Sequence, residues 1–282
     1  MLLAFALLLA QTAIAQSDQE VVITSEAGKE ADKARRFVER VSEPLAGDLP
    51  LARYTDPVCV GSAGLPAAAA QAVVDRVSEV ALSVGLNVGE PGCAPNLMVV
   101  FVEDSRAAVR RLAKVNSVAM NSQTLADVER IAAEPGRARA WIEVETRSRD
   151  GDRPSYAPND ATILQVATSS RLTSPVRRDV VSATVLIDRD AVADRDLRQV
   201  ADYAALRALT GARLRGRGDA NSILALFTPE GDARAPTALT GFDRGYLQGL
   251  YAGPGNILPR MKKQSMVRYM VGGSAAGAAA KR

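Results

Sequence analysis

The sequence predicts an α/β protein, with an α+β arrangement as the alternative, in which helices pack against a mixed and partly parallel sheet. Two observations support this class. Apolar runs of strand length alternate with segments of helical spacing in the first half of the chain, and the C-terminal part is dominated by helical patterns. Hydrophobic residues make up 47% of the 282 residues, which is enough for a sizeable core.

Residues 1–15 are an apolar segment that ends with the small residues Ala13 and Ala15. This pattern predicts a secretory signal peptide cleaved between Ala15 and Gln16, although no basic residues precede the apolar run. The segment is shorter than the roughly 18 residues of a membrane-spanning helix, and no later segment is apolar enough to cross a bilayer. We therefore expect an exported protein, periplasmic or secreted, without a transmembrane segment.

The domain organisation follows from the composition along the chain. After the signal peptide, residues 16–48 form a lead-in helix and linker, with Ser25 as the cap of a helix that ends before Pro44. Residues 49–271 carry the pattern of a single globular α/β domain. Residues 272–282 are rich in glycine and alanine without periodicity, and we expect a disordered tail there.

The first half of the domain alternates strands and helices. Residues 51–60 and 96–102 have the composition of strands, and the segment from Pro66 to Gly85 between them has helical spacing. Asp104 can cap the next helix. Strand, helix, strand and helix in this order predict a parallel pair of strands joined by a crossover.

The middle of the chain predicts a short helix beginning at Ser122 and a half-buried strand over residues 138–147. Residues 148–160 and 169–178 are polar and rich in proline or arginine, so we expect exposed loops there. A further strand is predicted at residues 182–188.

The C-terminal part predicts three helices and a brief apolar turn. Asp194 or Asp196 begins a helix that ends at Gly211, and the apolar turn follows at residues 222–227. Thr240 and Asp243 form a capping-box pattern for the next helix, which runs through Tyr251. The last helix covers residues 257–270.

The charge pattern argues against a nucleic-acid partner. The net charge of +3 comes from 35 basic and 32 acidic groups of interleaved sign, without stacking aromatics beside the basic runs. The basic segment at residues 261–268 could touch anionic lipid, but a solvated helix face is the favoured interpretation.

Two cysteines, Cys59 and Cys93, are the complete set in the chain. Because export leads to an oxidising compartment, the favoured interpretation is a disulfide between them, which would close a loop of about 34 residues and stabilise the fold by roughly 3–4 kcal/mol. Two buried free thiols, or a pair of metal ligands, are the alternatives. Two thiolates without histidine fall short of the four ligands of a structural zinc site.

The chain contains no histidine, which excludes zinc peptidases with imidazole ligands and Ser-His or Cys-His hydrolases. We therefore predict no metal and no cofactor. The remaining option for catalysis is a pair of carboxylates with separated pKa values, either Asp202 with Asp243 or Glu143 with Glu145. Solvated or helix-capping carboxylates are the simpler interpretation of both pairs.

Two further motifs have simple explanations. Asp188, Asp190, Asp194 and Asp196 could bind calcium, but they lack EF-hand spacing, and capping of the following helix is favoured. The adhesion tripeptide at residues 217–219 lies in a loop rich in glycine and arginine, where it is read as coincidence.

Three segments carry a family resemblance: residues 200–213, 222–227 and 239–251. In order and spacing they resemble a group of uncharacterised exported bacterial proteins that look like degenerate, histidine-less relatives of zincin-type metallopeptidases. The resemblance implies a zincin-like scaffold over the last third of the chain. It places the helix around residues 201–209 where a zincin has His-Glu-x-x-His, and it makes residues 182–188 the edge strand on the substrate side.

At the zinc-binding positions this chain has Ala201, Asp202 and Ala205, none of which supplies a nitrogen ligand. The resemblance therefore implies the scaffold without the peptidase activity. Asp202, Tyr203 and Asp243 are the candidate site residues, and packing of Tyr203 against Arg207 at i, i+4 is the structural alternative.

These observations together predict an exported, non-catalytic pseudo-enzyme that acts as a periplasmic or envelope binding or structural module. The expected partner is a protein or another envelope component. The alternative is a carboxylate-dependent hydrolase acting on an envelope or extracellular substrate.

Overall fold

The computed structural model of the protein describes residues 17–44, 47–115, 118–156, 162–166, 170, 173–213 and 221–279. The predicted signal peptide, its cleavage site between Ala15 and Gln16, and the tripeptide at residues 217–219 lie outside these residues.

Helices and strands follow one another along the described residues in the order expected of an α/β protein. They are α1 (Ser17–Val41), β1 (Val60–Ala63), α2 (Ala67–Ser83), β2 (Leu97–Val102), α3 (Ser105–Lys114), α4 (Leu125–Ala132), β3 (Ala138–Ser148), β4 (Ser155–Tyr156), β5 (Thr162–Ile163), β6 (Val176–Asp188), α5 (Leu197–Thr210), α6 (Gly241–Tyr251) and α7 (Pro259–Ala279). Short 3-10 turns occur at Val118–Met120, Arg189–Val192, Ile223–Ala225 and Asp232–Arg234.

The central sheet has four strands in the order β1, β2, β6, β3. The first three run parallel and β3 runs antiparallel to β6, which confirms the predicted α/β class and its mixed, partly parallel sheet. The expectation that residues 182–188 form an edge strand is wrong. These residues belong to β6, which is hydrogen-bonded on one side to β2 and on the other to β3, so that β3 is the edge.

Helices cover both faces of the sheet because successive residues of each strand point to opposite sides. On one face, α3 and α4 pack a small core against Trp141 of β3 and Leu186 of β6. On the other face, α1, α2, α5, α6 and α7 build the main core over Val99, Phe101 and Val185. Small aliphatic residues dominate both cores, as the composition predicts.

The β1–α2–β2 unit matches the predicted parallel pair. The strand predicted at residues 51–60 is much shorter than expected, since only Val60 belongs to β1. The preceding residues pair with two different partners: Arg53 bridges to Asp179, and Val58 bridges to Val88. Pro57 lies between them and has no N–H to donate, which interrupts a continuous ladder.

Cys59 and Cys93 form the predicted disulfide, with their Cα atoms 6.0 Å apart. The bond links the residue before β1 to the turn before β2. It therefore fastens the β1 edge of the sheet to the connection that follows α2.

Side-chain caps decide where two of the helices begin. Asp104 accepts a hydrogen bond from the Ala107 N–H at 2.9 Å and starts α3 as predicted. The next helix, α4, begins at Leu125 rather than at Ser122, because Thr124 and Asp127 form a reciprocal capping box three residues later than the predicted start.

The loop predicted at residues 148–160 contains the two-residue strand β4, which pairs antiparallel with β5 just after that loop. β6 begins at Val176, six residues before the predicted strand. It is longer because β3 pairs with it over nearly its whole length.

The C-terminal helices follow the prediction closely until the end of the chain. α5 is capped by Asp196, whose carboxylate accepts from the Arg198 N–H at 2.8 Å, and it ends at Gly211 with φ +62°. α6 has the predicted capping box of Thr240 and Asp243. The backbone of α7 is helical to Ala279, whereas the sequence predicted a disordered tail from residue 272. Residues 280–282 lie outside the described residues.

α6 and α7 approach each other closely at two glycines spaced four residues apart. A Cβ added to Gly245 would lie 2.5 Å from the Met270 Cα, and one added to Gly249 would lie 2.4 Å from the Met266 Cα. Only glycine permits this backbone separation, so the spacing of the two glycines determines how α7 docks.

α1 contributes to the main core through the apolar stripe predicted at its C-terminal end. Phe37, Val38 and Val41 are buried, and the Phe37 ring meets the Phe242 and Tyr246 rings of α6 edge to face. The lead-in helix is therefore part of the packed structure. Within the described residues, none of the helices combines the length and apolar character needed to cross a membrane.

Gly249→Ala should destabilise the protein by about 1–3 kcal/mol, because the added methyl group forces α6 and α7 apart. Urea unfolding measures the change. Gly28→Ala in α1 is the matched control, since a Cβ at this exposed helical position meets nothing within 4 Å. The control should gain roughly 0.5–1 kcal/mol from helix propensity. Equal stability of Gly249→Ala and the parent protein would contradict the proposed packing constraint.

Candidate functional site

A cavity of about 550 Å³ opens beside the outer edge of β3. Its walls are the segment that follows α1, the start of α4, the end of α5 and one face of α6. Representative lining residues are Pro44, Gln123, Ile142, Val144, Gly211 and Leu250. Its volume falls in the range of roughly 300–1,000 Å³ that is common for ligand sites.

The edge of β3 directs unpaired backbone groups toward this cavity. In an antiparallel ladder, alternate residues turn their N–H and C=O groups away from the partner strand. Ile142 is such a residue, because its carbonyl accepts a hydrogen bond from Gln123 Nε2 at 3.1 Å. Val144 and Thr146 follow at alternate positions and line the same cavity. Their outward backbone groups have no hydrogen-bond partner among the described residues.

A register shift beside this edge does not change the alternation along β3. Glu143 lies opposite Ser182 and Val144 lies opposite Val180, so the unpaired residue is Val181 of β6. The bulge is therefore in the inner strand, and β3 keeps a regular outer edge past Ile142.

The charges around the cavity do not balance. Arg178 donates to Glu43 at 3.0 Å, and Arg130 forms an ion pair with Asp127. The guanidinium of Arg213 has neither a hydrogen bond nor an ion pair among the described residues. Among the described residues, three arginines and two carboxylates line the cavity, which is an excess of one positive charge.

The environment of Arg213 disfavours its charge. Burial lowers the pKa of its guanidinium. The negative charges of Glu134 and Glu43 raise this pKa, and the positive charges of Arg207 and Arg130 lower it. The cavity therefore contains a partly desolvated cation.

Asp202 does not line the cavity. It is fully buried, and it joins three elements. Its carboxylate accepts from Arg76 Nε of α2 at 2.6 Å and from the Leu239 N–H before α6 at 2.7 Å. Burial opposes the charge of Arg76, but the hydrogen bonds to Asp202 and Glu79 prevail and raise its pKa. Asp202 is held as a structural carboxylate.

The helix positions at which the resemblance places zinc ligands are packed into the core. Ala201 and Ala205 are both fully buried. Tyr203 is buried and accepts a hydrogen bond from Arg207 Nη1 at 2.7 Å, which is the predicted i, i+4 contact. Arg207 also pairs with Glu134 at 2.8 Å. This face of α5 is therefore filled by packing and paired charges.

Asp243 is buried in the capping box of α6. Its Oδ2 accepts from the N–H groups of Thr240 and Ile223, each at 3.0 Å. Burial raises the pKa of Asp243, and hydrogen bonds from Ser222, Ile223 and Thr240 act in the opposite direction. Its role is to fix the start of α6 against the Ile223–Ala225 turn.

The second predicted carboxylate pair is also engaged with the protein. Glu143 is buried and accepts from the Ser122 N–H at 2.7 Å and from Gln123 Nε2 at 3.0 Å. Glu145 accepts from Arg147 Nε at 2.6 Å. Glu143 thus holds Gln123 beside the cavity, although its own carboxylate does not line it.

The acidic cluster after β6 serves structural purposes. Asp188 accepts from the Ser105 N–H at 2.7 Å and pairs with Arg137, which also pairs with Asp190. Asp196 caps α5. Within the part of the chain that the structure describes, no group of three or more histidine, cysteine, aspartate or glutamate residues is placed to hold a metal ion.

The basic segment of α7 is not uniformly exposed. Lys262 is 4% exposed and donates to the Ala252 carbonyl, while Lys263 pairs with Glu39 of α1 at 2.6 Å. Burial, together with the charge of Arg53, lowers the pKa of Lys262 to about 8. Part of this segment therefore docks α7 and is not a free cationic face.

The sequence does not predict the residues that surround the cavity. Gln123 lies just before α4 and Arg130 lies within it, Arg213 follows α5, and none belongs to a recognised motif. The sequence offers only local indications of these residues. Arg213 follows Gly211, which ends a predicted helix, and the pattern of residues 138–147 predicts a half-buried strand. Neither observation alone indicates that these segments meet.

No protein-family model matches the chain, and neither a curated protein nor a solved structure matches it significantly. The resemblance to degenerate zincin-type proteins therefore stays a prediction.

Asp202→Asn should destabilise the protein by about 3 kcal/mol, because it leaves the Arg76 guanidinium without its buried counter-charge. Chemical unfolding at neutral pH measures the loss. Glu79→Gln is the matched control, since it removes the other carboxylate bound to Arg76. The Glu79 side chain is 61% exposed. The control should cost less than about 1 kcal/mol. Equal losses in the two variants would contradict the structural role of Asp202.

The free energy of unfolding should rise with pH between about 8 and 10, because Lys262 has lost its proton in the folded protein while the unfolded chain still binds it. Below pH 8 both states are protonated and this residue contributes no slope. Unfolding in urea across this pH range measures the effect. In Lys262→Met the rise should disappear, whereas Lys263→Met should retain it; an unchanged slope in Lys262→Met would rule out this assignment.

Proposed function

We propose that the protein is an exported, non-catalytic binding module that holds an extended peptide segment against the outer edge of β3. The observation that carries this proposal is the cavity beside an unpaired strand edge. An extended peptide can add to such an edge as a new strand, with backbone hydrogen bonds for affinity and side-chain contacts for selectivity.

The cavity offers both kinds of contact. The outward backbone groups of Val144 and Thr146 supply donors and acceptors, and Trp141, Ile142 and Leu250 supply apolar surface. In strand addition the backbone hydrogen bonds give affinity, and pockets for alternate side chains give selectivity. A peptide is therefore favoured over a small polar solute.

Binding is favoured over hydrolysis by the positions of the carboxylates. Asp202, Asp243 and Glu143 bind backbone or side-chain groups inside the protein. The two carboxylates that line the cavity, Glu43 and Asp127, are paired with arginines. An acid–base pair for a carboxylate-dependent hydrolase would need to be free of these bonds.

Export and the nature of the partner rest on the sequence and the disulfide. The bond between Cys59 and Cys93 is typical of proteins that fold in an oxidising compartment. We infer a periplasmic or secreted protein whose partner is a protein or an envelope component that presents an extended segment. The proposal of a degenerate zincin-like origin for the scaffold rests on the sequence resemblance of residues 200–213, 222–227 and 239–251 alone.

An array of random acetylated decapeptides tests the proposal, with the strongest binder measured in solution by fluorescence anisotropy. N-methylation of alternate backbone amides on the side facing β3 should weaken binding by about tenfold, because it removes hydrogen bonds worth roughly 1 kcal/mol each. N-methylation of the other alternate set should change affinity little. The amide resonances of Val144 and Thr146 should shift on binding.

Two tryptophan variants supply the matched control. Val144→Trp fills the cavity and should abolish binding, whereas Leu82→Trp places the same side chain on the exposed surface of α2 and should not. Absence of any binder, or equal binding after N-methylation of either set, would contradict strand addition.

A further inference from the structure

We propose that the peptide bound along β3 carries a carboxylate, and that Arg213 receives it at the Ile142 end of the cavity. This inference rests on the proposed peptide-binding function. It concerns what the site selects, since strand addition by itself reads only the backbone.

The backbone at the end of α5 fixes where Arg213 lies. A Cβ added to Gly211 would be 2.8 Å from Ile142 Cδ1, so the helix ends in contact with β3. Two residues later, the Arg213 N–H donates to the Val41 carbonyl at 2.9 Å. The backbone of Arg213 is thus held between β3 and the end of α1. Its guanidinium takes no part in this backbone hydrogen bond.

The other arginines of the cavity already have counter-charges. Arg178 is bound to Glu43, and Arg130 is bound to Asp127 within α4. Arg213 has no ion pair among the described residues; it lies near the like charges of Arg207 and Arg130 and the opposite charges of Glu134 and Glu43. An anionic group in the cavity would offset both the desolvation and the repulsion.

The geometry of the neighbouring surface favours a carboxylate on a peptide. A guanidinium binds a carboxylate through two parallel hydrogen bonds, and the adjacent edge of β3 supplies the backbone contacts that a peptide needs. The carboxylate can belong to a glutamate or aspartate side chain or to the C-terminus. The same chemistry serves in each case, and the experiment separates the sources.

The test uses two arrays of acetylated decapeptides on the full chain. One array contains Glu and Asp, the other has Gln and Asn in their place, and each is made with a free and with an amidated C-terminus. The best acidic peptide should bind at least about tenfold more tightly than the same peptide in which the carboxylate that contacts the protein is replaced by its amide. This difference is expected for a charge-assisted pair. If affinity falls on replacing Glu or Asp, the carboxylate belongs to a side chain. If it falls on amidation of the C-terminus, the carboxylate is the terminal one.

Arg213→Gln should remove this preference and leave the affinity for the neutral peptide within about twofold. Arg213→Lys should retain part of it, because lysine keeps the charge without the planar pair of donors. Arg110→Gln is the control, since this arginine pairs with Glu129 and does not line the cavity, and it should retain the preference. Thermal unfolding of each variant confirms that it is folded.

The outcomes separate the two proposals. If neither array binds the parent protein, the peptide-binding function itself fails. If both arrays bind equally, or if Arg213→Gln keeps the acidic preference, peptide binding stands and the role of Arg213 is overturned.

Discussion

The buried carboxylate of Asp202 joins three parts of the helical layer, and the arrangement of that layer depends on it. An ionised carboxylate is costly to bury unless strong hydrogen bonds replace water. Here Arg76 of α2 and the Leu239 N–H before α6 supply them, at 2.6 Å and 2.7 Å. Because the partners come from separate segments, the pair fixes α5 between α2 and the start of α6, where apolar packing alone would permit sliding.

Two buried arginines, one on each face of the sheet, hold the turn that precedes β3. Arg139 is almost completely buried and donates to the carbonyls of Glu134 and Gly136, at 2.8 Å and 2.9 Å, and to Ser105 Oγ at 2.9 Å. Arg207 reaches the same turn from α5 through the carboxylate of Glu134. The beginning of β3 is therefore anchored from both sides of the sheet, which keeps the strand in place although one of its edges is unpaired.

Within the described residues, the helices beside this edge end before they cover it. α5 ends at Gly211 in a left-handed conformation, and α1 ends at Val41. Proteins usually cover, shorten or charge the edge of a sheet, since an open edge invites pairing with other chains. Here Gln123 donates to the Ile142 carbonyl, and the outward backbone groups of Val144 and Thr146 have no partner among the described residues. Under the proposed function, a peptide would pair with this edge beside the arginines.

The sequence by itself determined the local features of this protein. Periodicity predicts α2, β2 and α5, the capping residues Asp104 and Asp243 mark helix starts, and the parallel strand pair follows from the order of elements. These features depend on residues close together in the chain, so that local chemistry is sufficient. The Cys59–Cys93 pairing was also accessible, because the chain contains only two cysteines.

Only the tertiary structure decided which strand lies at the edge and which carboxylates are free. Residues 182–188 read as an edge strand by resemblance, but the long ladder with β3 places them inside the sheet. From the sequence, Asp202 could be either a catalytic or a structural carboxylate. Its burial against Arg76 makes it structural. No local pattern singles out Arg213, since its place at the cavity without an ion pair among the described residues depends on which distant residues surround it. Residues far apart in sequence come into contact only when the sheet and helices pack, and local sequence patterns do not predict these tertiary contacts.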